Sequence, residues 1–479
     1  MLRADHKRII TIAVAICVLA CLAGSTAAAP PAAAKLTILY TNDIHGHLFP
    51  FDCDDLGRPL TNIGGAARRA ALIRKLKVEA GNPVLVMDAG DVFTRGPLSS
   101  LAGAPDFAVM NAVPYDVMTL GNNEFKALPG PEALQVIRDR IAGAKFAVVS
   151  ANVFDLAAKK RLVAAYKVFD LGGVKAAVFG LTTRSDASKP QFGGLRVDDP
   201  IVAARLLVPQ LRREADFVIA LTHIGVARDL ELAASVSGID VIIGGDSHTW
   251  LDQPLLVRWK EPGSRWAIGG TLICQDGEWG RTVGRLDLTL RRLDESGLSV
   301  TAYSGRLVDV DSSVAPASDV SAIVQKAAAP FNIEVGRLAA EVKAADAANW
   351  VAARMLEASR SQAAVEPRED VEQGLAAGKV TLLDVRSMFP FVDQVASVTI
   401  TGKQLRSFVM DHPDAGLAGA RLVEGDLYIG NDKVRDAQVY TVAVEDCYAK
   451  RDPALIASPC VSLGKTTVDL VRQHIALGK

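Results

Sequence analysis

An excess of charge of either sign is missing from this chain. Its 53 Lys and Arg stand against 54 Asp and Glu, a net charge of -1. Nucleic-acid binding and adhesion to an anionic membrane both draw on a basic surplus, so neither has an electrostatic basis here. Internal repeats of solenoid length are absent too, which excludes repeat architectures. Long apolar runs are also lacking. The run from Ile9 to Ala23 falls short of the roughly 20 residues a membrane-spanning helix needs. Cysteine is scarce: Cys17 and Cys21 lie in that run, leaving Cys53, Cys274, Cys447 and Cys460.

What is there is globular material, 49% apolar and 22% charged, in 479 residues, enough for two or three domains. Arg3, Lys7 and Arg8 precede the apolar run, and Ser25-Thr-Ala-Ala-Ala-Pro-Pro-Ala-Ala-Ala follows it with Ala-x-Ala-like cleavage sites. Residues 1–29 therefore read as an export signal, and no stable membrane insertion is expected after cleavage. The expected location is the periplasm or the cell surface. Val18-Leu-Ala-Cys21 leaves a lipid anchor at Cys21 as the weaker alternative, because Leu19 fits such a site poorly. In an oxidising compartment Cys447 and Cys460, which flank a loop carrying Pro453 and Pro459, are the expected disulfide pair.

From residue 36 to about 310, strand-like and helix-like segments alternate, the pattern of a layered α/β domain. Five apolar runs each deliver a residue that can bind metal. Leu36 to Thr41 leads into Asp43-Ile-His45, and Val84 to Ala89 into Gly90-Asp91. Asp116 to Leu120 leads into Gly121-Asn122-Asn123-Glu124, Phe217 to Leu221 into Thr222-His223, and Val241 to Ile243 into Gly244-Gly-Asp246-Ser-His248. Such runs read as strands entering tight loops. Ligands of open α/β sheets bind beyond the carboxyl ends of strands. Five loops on one sheet edge would bring Asp43, His45, Asp91, Asn122, His223, Asp246 and His248 together.

Four of the seven histidines (His45, His47, His223 and His248) fall in these loops. A lone loop histidine is ordinarily solvated or packed, but five loops with metal-binding chemistry are hard to ascribe to chance. Two divalent ions about 3.5–4 Å apart clamp a phosphoryl group, and a carboxylate shared by both is needed. Asp91, alone in its loop, suits that role. Asp43 and His45 can flank one ion, Asp246 and His248 repeat their spacing, and Asn122 with His223 completes the second ion.

The segments Thr41-Asn-Asp-Ile-His-Gly-His-Leu48, Gly64-Gly-Ala-Ala-Arg68, Asp88-Ala-Gly-Asp91, Leu120-Gly-Asn-Asn-Glu-Phe125, Ala151-Asn-Val153, Leu221-Thr-His-Ile-Gly225 and Gly244-Gly-Asp-Ser-His248 resemble the 5'-nucleotidase family of calcineurin-like metallophosphoesterases. The resemblance covers nearly the whole mature chain. It implies an α/β fold: a four-layer α-β-β-α metallophosphoesterase domain over 35–315, a helical linker over 316–345 and a smaller α/β substrate domain over 346–479. By resemblance, Asp43, His45, Asp91 and His248 hold one ion, and Asp91, Asn122, His223 and Asp246 the other. The implied partner is a small-molecule phosphate ester, foremost a nucleotide.

The chain departs from that family in several places. The family usually has His at the position of Asn123 and Asp at that of Lys126. The His steadies the transition state or protonates the leaving oxygen, and the Asp orients it. Asn123 has no proton to give near neutral pH. His47, the one unassigned loop histidine, is the candidate substitute, with a hydrogen bond to nearby backbone as its plainer role. Asp246 stands where His is usual. A carboxylate there favours harder ions, so Mn²⁺ is favoured, with Mg²⁺, Zn²⁺ or Fe as alternatives. It also leaves a smaller positive excess to trap a phosphate dianion.

In the second domain, Val365-Glu-Pro-Arg-Glu-Asp370 replaces an expected Asn-Gly-Gly-x-x-Arg segment and leaves Arg368 as a candidate anion contact. Tyr448-Ala-Lys-Arg-Asp-Pro453 replaces the segment that supplies half of an aromatic base clamp. Phe389, Phe391 and Tyr448 are the candidates for stacking on a base, and core packing explains them equally well. Two rival functions remain: a binding protein that keeps metals without turnover, and a hydrolase of other phosphodiester or sulfur-oxygen substrates.

Overall fold

The computed structural model describes residues 34–55, 58–126, 132–184, 194–258, 269–294, 297–389 and 391–478. The expected export signal and the alternative lipid-anchor site at Cys21 lie outside these residues. No helix among the described residues is long and apolar enough to cross a membrane.

The β-branched, apolar runs form two six-stranded sheets. In the first, Ala34–Thr41, Val84–Asp88, Val117–Thr119 and Ala147–Val149 pair in parallel. The long hairpin of Thr282–Asp294 and Gly297–Asp309 completes it, antiparallel to Ala34–Thr41. In the second, Lys175–Thr182, Phe217–His223, Val241–Ile243 and Gly270–Cys274 are parallel. Parallel strands covered on both faces are apolar throughout rather than alternating, and Phe217–His223 is buried at every position.

The sheets stack face to face. Leu36, Ile38, Tyr40, Leu85 and Met87 of one meet Val178, Phe217, Ile219 and Leu221 of the other. Helices Ala66–Glu79, Ala104–Ala112 and Ser318–Ala328 cover the outer face of the first sheet. Pro200–Glu214 and Val226–Ser235 cover that of the second. This is the α-β-β-α order. The five ligand-bearing strands do not share one sheet, however. Three belong to the first and two to the second, and the stacking sets their carboxyl ends on a common rim.

The helical linker expected over 316–345 is an α-helix only over Ser318–Ala328. A 3-10 turn at Ala329–Phe331 follows, then strand Glu334–Leu338, paired with Gly378–Thr381. Pro330 cannot donate a helical hydrogen bond and clashes with the preceding turn, and Ile333 and Val335 favour extended backbone.

The second unit is a five-stranded sheet in the order Gly416–Ala418, Ala363–Glu366, Val439–Glu445, Gln394–Thr401, Cys460–Thr466. Helices Ala347–Ser359 and Thr467–Ala476 pack on one face and Gly402–Asp411 on the other. Capping boxes, Thr401 with Gln404 and Thr466 with Asp469, start two of these helices by satisfying backbone N–H groups that have no helical partner.

Two sequence expectations are corrected here. Cys447 and Cys460 are not joined by a disulfide. Cys447 lies in helix Asp446–Arg451 with its thiol toward Glu445, whereas exposed Cys460 opens an edge strand opposite Val398. Short spacing across a Pro-rich loop did not turn the two thiols toward each other. Phe389 is 1% exposed within the core of the second unit, so it is a packing residue and offers no face to a base. Phe389→Ala should therefore lower unfolding free energy by about 3–5 kcal/mol, read from urea denaturation. A change in KM at unaltered stability would contradict the core assignment.

Candidate metal centre

Three of the five strands enter their loops through backbone that L-residues avoid. Twelve non-glycine residues among those described have positive φ, and five of them are predicted ligands: Asp43 (49°), His45 (50°), Asp91 (57°), Asp246 (79°) and His248 (51°). Left-handed backbone disfavours an L-residue by about 1–2 kcal/mol each. Such strain persists where the surroundings over-determine it.

Here the loops are laced together. Asp43 N donates to Gly90 O at 3.0 Å, His45 N to Asp91 O at 2.9 Å and Gly46 N to Val92 O at 2.8 Å. The Glu124 carboxylate accepts the N–H groups of Asp91, Val92 and Gly121 at 3.0, 2.7 and 2.6 Å. Asp246 N donates to Asp43 Oδ2 at 3.0 Å. Gly121 is required by close approach, because a Cβ there would lie 2.1 Å from Asp91 Oδ1.

The side chains converge. His223 Nε2 lies 3.2 Å from Asp91 Oδ2, 3.7 Å from Asp246 Oδ1 and 3.9 Å from Asp43 Oδ1. His45 Nε2 lies 3.9 Å from the same Asp91 oxygen and 3.7 Å from Asp43 Oδ1. His248 Nε2 is 3.4 Å from Asp43 Oδ1 and 3.1 Å from His45 Nε2. Asn122 joins them through Asp246: its amide N–H donates to Asp246 Oδ1 at 3.2 Å. The amide oxygen then accepts from Lys126 Nζ at 2.8 Å. Ligand atoms of Asp43, His45 and His248, and again of Asp43, Asp91 and His223, lie within 4.8 Å of one another, so the donor set fits divalent ions.

Outer groups hold the imidazoles. His223 Nδ1 meets Ala89 O at 2.8 Å, and His248 Nδ1 meets Glu278 Oε2 at 2.5 Å. Such partners fix which nitrogen faces the site. Burial disfavours charge on His248, but hydrogen bonds to Asp43 and Glu278 push it up to about 10. Burial acts likewise on His223, and the charges of Asp91 and Asp43 overcome it and raise the imidazole well above its usual value. Burial would raise Asp91, yet His223 and His45 hold it well below the carboxylate range. Glu124 is pushed to about 8, first by burial and then by Asp91.

The remaining predicted residues lie elsewhere or play other parts. Asn123 donates both its backbone N–H and its amide N–H to Asp91. His47 stacks on Trp279, with Nδ1 3.1 Å from Ile44 O and Nε2 3.4 Å from Glu372 of the second unit. Both of its nitrogens are engaged away from the cluster, the plainer of its two expected roles. Arg368 donates to Val371 O. Tyr448 OH donates to Asp370. Phe391, half-buried, lies under the Arg95 guanidinium of the metal domain at 5.0 Å.

Sequence reading missed Glu278 and the structural part of Glu124. The signal was present: Gly270-Thr-Leu-Ile-Cys274 followed by Gln275-Asp-Gly-Glu278 is a sixth strand-then-loop segment. Its Asp276 accepts Asn42 N, and its Gln275 accepts Thr249 N.

Residues 36–250 match the calcineurin-like phosphoesterase model, and 324–453 match the 5'-nucleotidase C-terminal domain. A 5'-nucleotidase of Vibrio cholerae is 30% identical over 427 residues, covering 78% of this chain and 75% of that protein. The chain belongs to the 5'-nucleotidase family. A trifunctional nucleotide phosphoesterase protein of Bacillus subtilis is also 30% identical over 432 residues, but this chain spans only 27% of its length. The crystal structure of a 5'-nucleotidase precursor from Thermus thermophilus superposes with a TM-score of 0.74 at 25% identity, covering 93% of this chain and 97% of that one. The protein is thus a metal-dependent phosphoric ester hydrolase, and its family implies divalent metals.

Because His223 and His248 both have raised pKa values, each carries a proton at pH 7 in metal-free protein, and an ion must displace it. Mn²⁺ binding should release at least about one proton at pH 7, and affinity should climb as pH rises toward 10. Calorimetry in buffers of different ionisation heat measures the release. Identical heats in all buffers would contradict it.

Proposed function

We propose that this chain is an exported phosphoesterase that hydrolyses nucleotides or related phosphate esters at a centre of two divalent ions, with Mn²⁺ favoured. The observation that carries the reading is the meeting of seven donors from five loops, with Asp91 Oδ2 between His45 and His223. Asp43, His45, Asp91 and His248 would hold one ion, and Asp91, Asn122, His223 and Asp246 the other. Bound ions would polarise a phosphoryl oxygen and lower the pKa of a water. The relatives named as nucleotidases support a nucleotide substrate, and the N-terminal segment supports export.

The chain's own groups shape the rest. Asp91 stays charged and is tethered by Asn123 on both oxygens, which suits a shared ligand. That tether turns the Asn123 amide toward Asp91. An amide gives up no proton near neutral pH, so the leaving oxygen departs without a general acid from this position. Such a loss is worth about 10²–10⁴ in rate.

Elemental analysis of protein reloaded with Mn²⁺ should approach two ions per chain, and Asp91→Ala should lose most of both. Full retention in that variant would sink the shared-ligand assignment.

Turnover should also depend steeply on the leaving group. Activated aryl phosphates should be cleaved readily and nucleoside 5'-monophosphates slowly. Asn123→His combined with Lys126→Asp should raise rates selectively on poor leaving groups, by about 10²-fold or more if a general acid is restored. Equal, shallow slopes of log rate against leaving-group pKa in both proteins would show that another residue already supplies the proton.

A further inference from the structure

The second unit carries another cluster, separate from the seven donors above. The parallel register that sets Ala363 beside Val442 and Ala364 beside Ala443 brings the carboxyl ends of Ala363–Glu366 and Val439–Glu445 to one edge. The antiparallel neighbour sets Val395 against Glu445, two positions from Asp393. Open α/β sheets bind ligands beyond such strand ends. An oxygen of Asp393, an oxygen of Glu445 and the Cys447 sulfur all lie within 4.8 Å of one another.

The informative group is Glu366. It is 0% exposed, and neither carboxyl oxygen has a hydrogen-bond partner. Its strongest charged neighbours are all acidic: Glu445, Asp370 and Asp393. Asp370, by contrast, accepts the Tyr448 hydroxyl, and the Cys447 thiol donates toward Glu445 at 3.9 Å. A buried carboxylate with no donor and only like charges around it is unfavourable unless it takes up a proton or a cation joins it.

We propose that Asp393, Glu445 and Cys447, backed by Glu366, form a binding site for a borderline-soft divalent cation of the Zn²⁺ type. Carboxylates alone would suit Mg²⁺ or Ca²⁺ equally well, and the thiol is what shifts the preference. The site sits beside Tyr448 to Pro453, the segment in which the chain departs from its family. It stands independently of the phosphoesterase reading, because none of the seven donors of the other centre is a cysteine.

Co²⁺ titration of the full chain, kept reduced with a phosphine, separates the two centres. Only a cysteine ligand produces an intense thiolate-to-Co²⁺ charge-transfer band in the near ultraviolet. The wild type should show a saturable band that Zn²⁺ abolishes. Cys447→Ser should lose it while keeping its circular dichroism and its aryl phosphatase activity, and Cys460→Ser should keep it. Glu366→Gln should weaken the underlying affinity by about 10-fold or more. Absence of the band in wild type, or its survival in Cys447→Ser, would overturn the proposal even if the phosphatase is fully active.

Discussion

The left-handed turns at Asp43, His45, Asp91, Asp246 and His248 are the constraint on which the centre depends. An extended strand end would send alternate side chains to opposite faces of its sheet. Turning the backbone at the tip instead folds carboxylate and imidazole back over the rim where the two sheets meet. Three sets of contacts hold the strain. They are the backbone bonds between the first two loops, the Glu124 carboxylate under three N–H groups, and the Asp43 carboxylate under Asp246 N. Because Glu124 ties the Asp91 loop to the Gly121 loop, neither tip can relax alone. Seven donors of mixed charge are thereby preorganised by a frame that is itself buried.

The two units have kept their family likeness unequally. In the metal domain the donors are set by backbone geometry and close contacts such as Gly121 against Asp91, so few side-chain changes fit. Asn123 ties Asp91 there, and Asp246 faces His223. In the second unit the rim is shaped by side-chain choice on a sheet whose backbone pairing does not depend on it. There Glu366, Asp370 and Asp393 could collect at one edge without disturbing the register of Ala364 beside Ala443. An acidic edge receives an anionic or electron-rich ligand less readily than a basic one, and a cation is the partner its charge favours.

The contacts between the units explain why some candidate residues changed role. His47 stacks on Trp279 and reaches Glu372, Arg95 covers Phe391, and Arg386 Nε donates to Pro97 O at 2.6 Å. A histidine in a loop next to candidate metal ligands reads as catalytic in one dimension. In three dimensions it is one of the groups that fasten the domains together.

Strand ends and ligand types were legible in the sequence because both are local. Apolar β-branched runs must be buried, the residues after them must turn, and Asp, His and Asn in those turns declare their chemistry directly. The family motifs added the pairing of donors, and the Asn123 and Lys126 departures needed no coordinates. Only the tertiary structure decided that the five strands divide between two sheets, that Phe389 is core, that Cys447 and Cys460 stay apart, and that Glu278 and Glu124 support the loops of the centre. Each of these rests on which distant surfaces meet, as Glu278 against His248 across the sheet rim does. Local propensity carries no information about such contacts, since they are selected by how the layers close over one another.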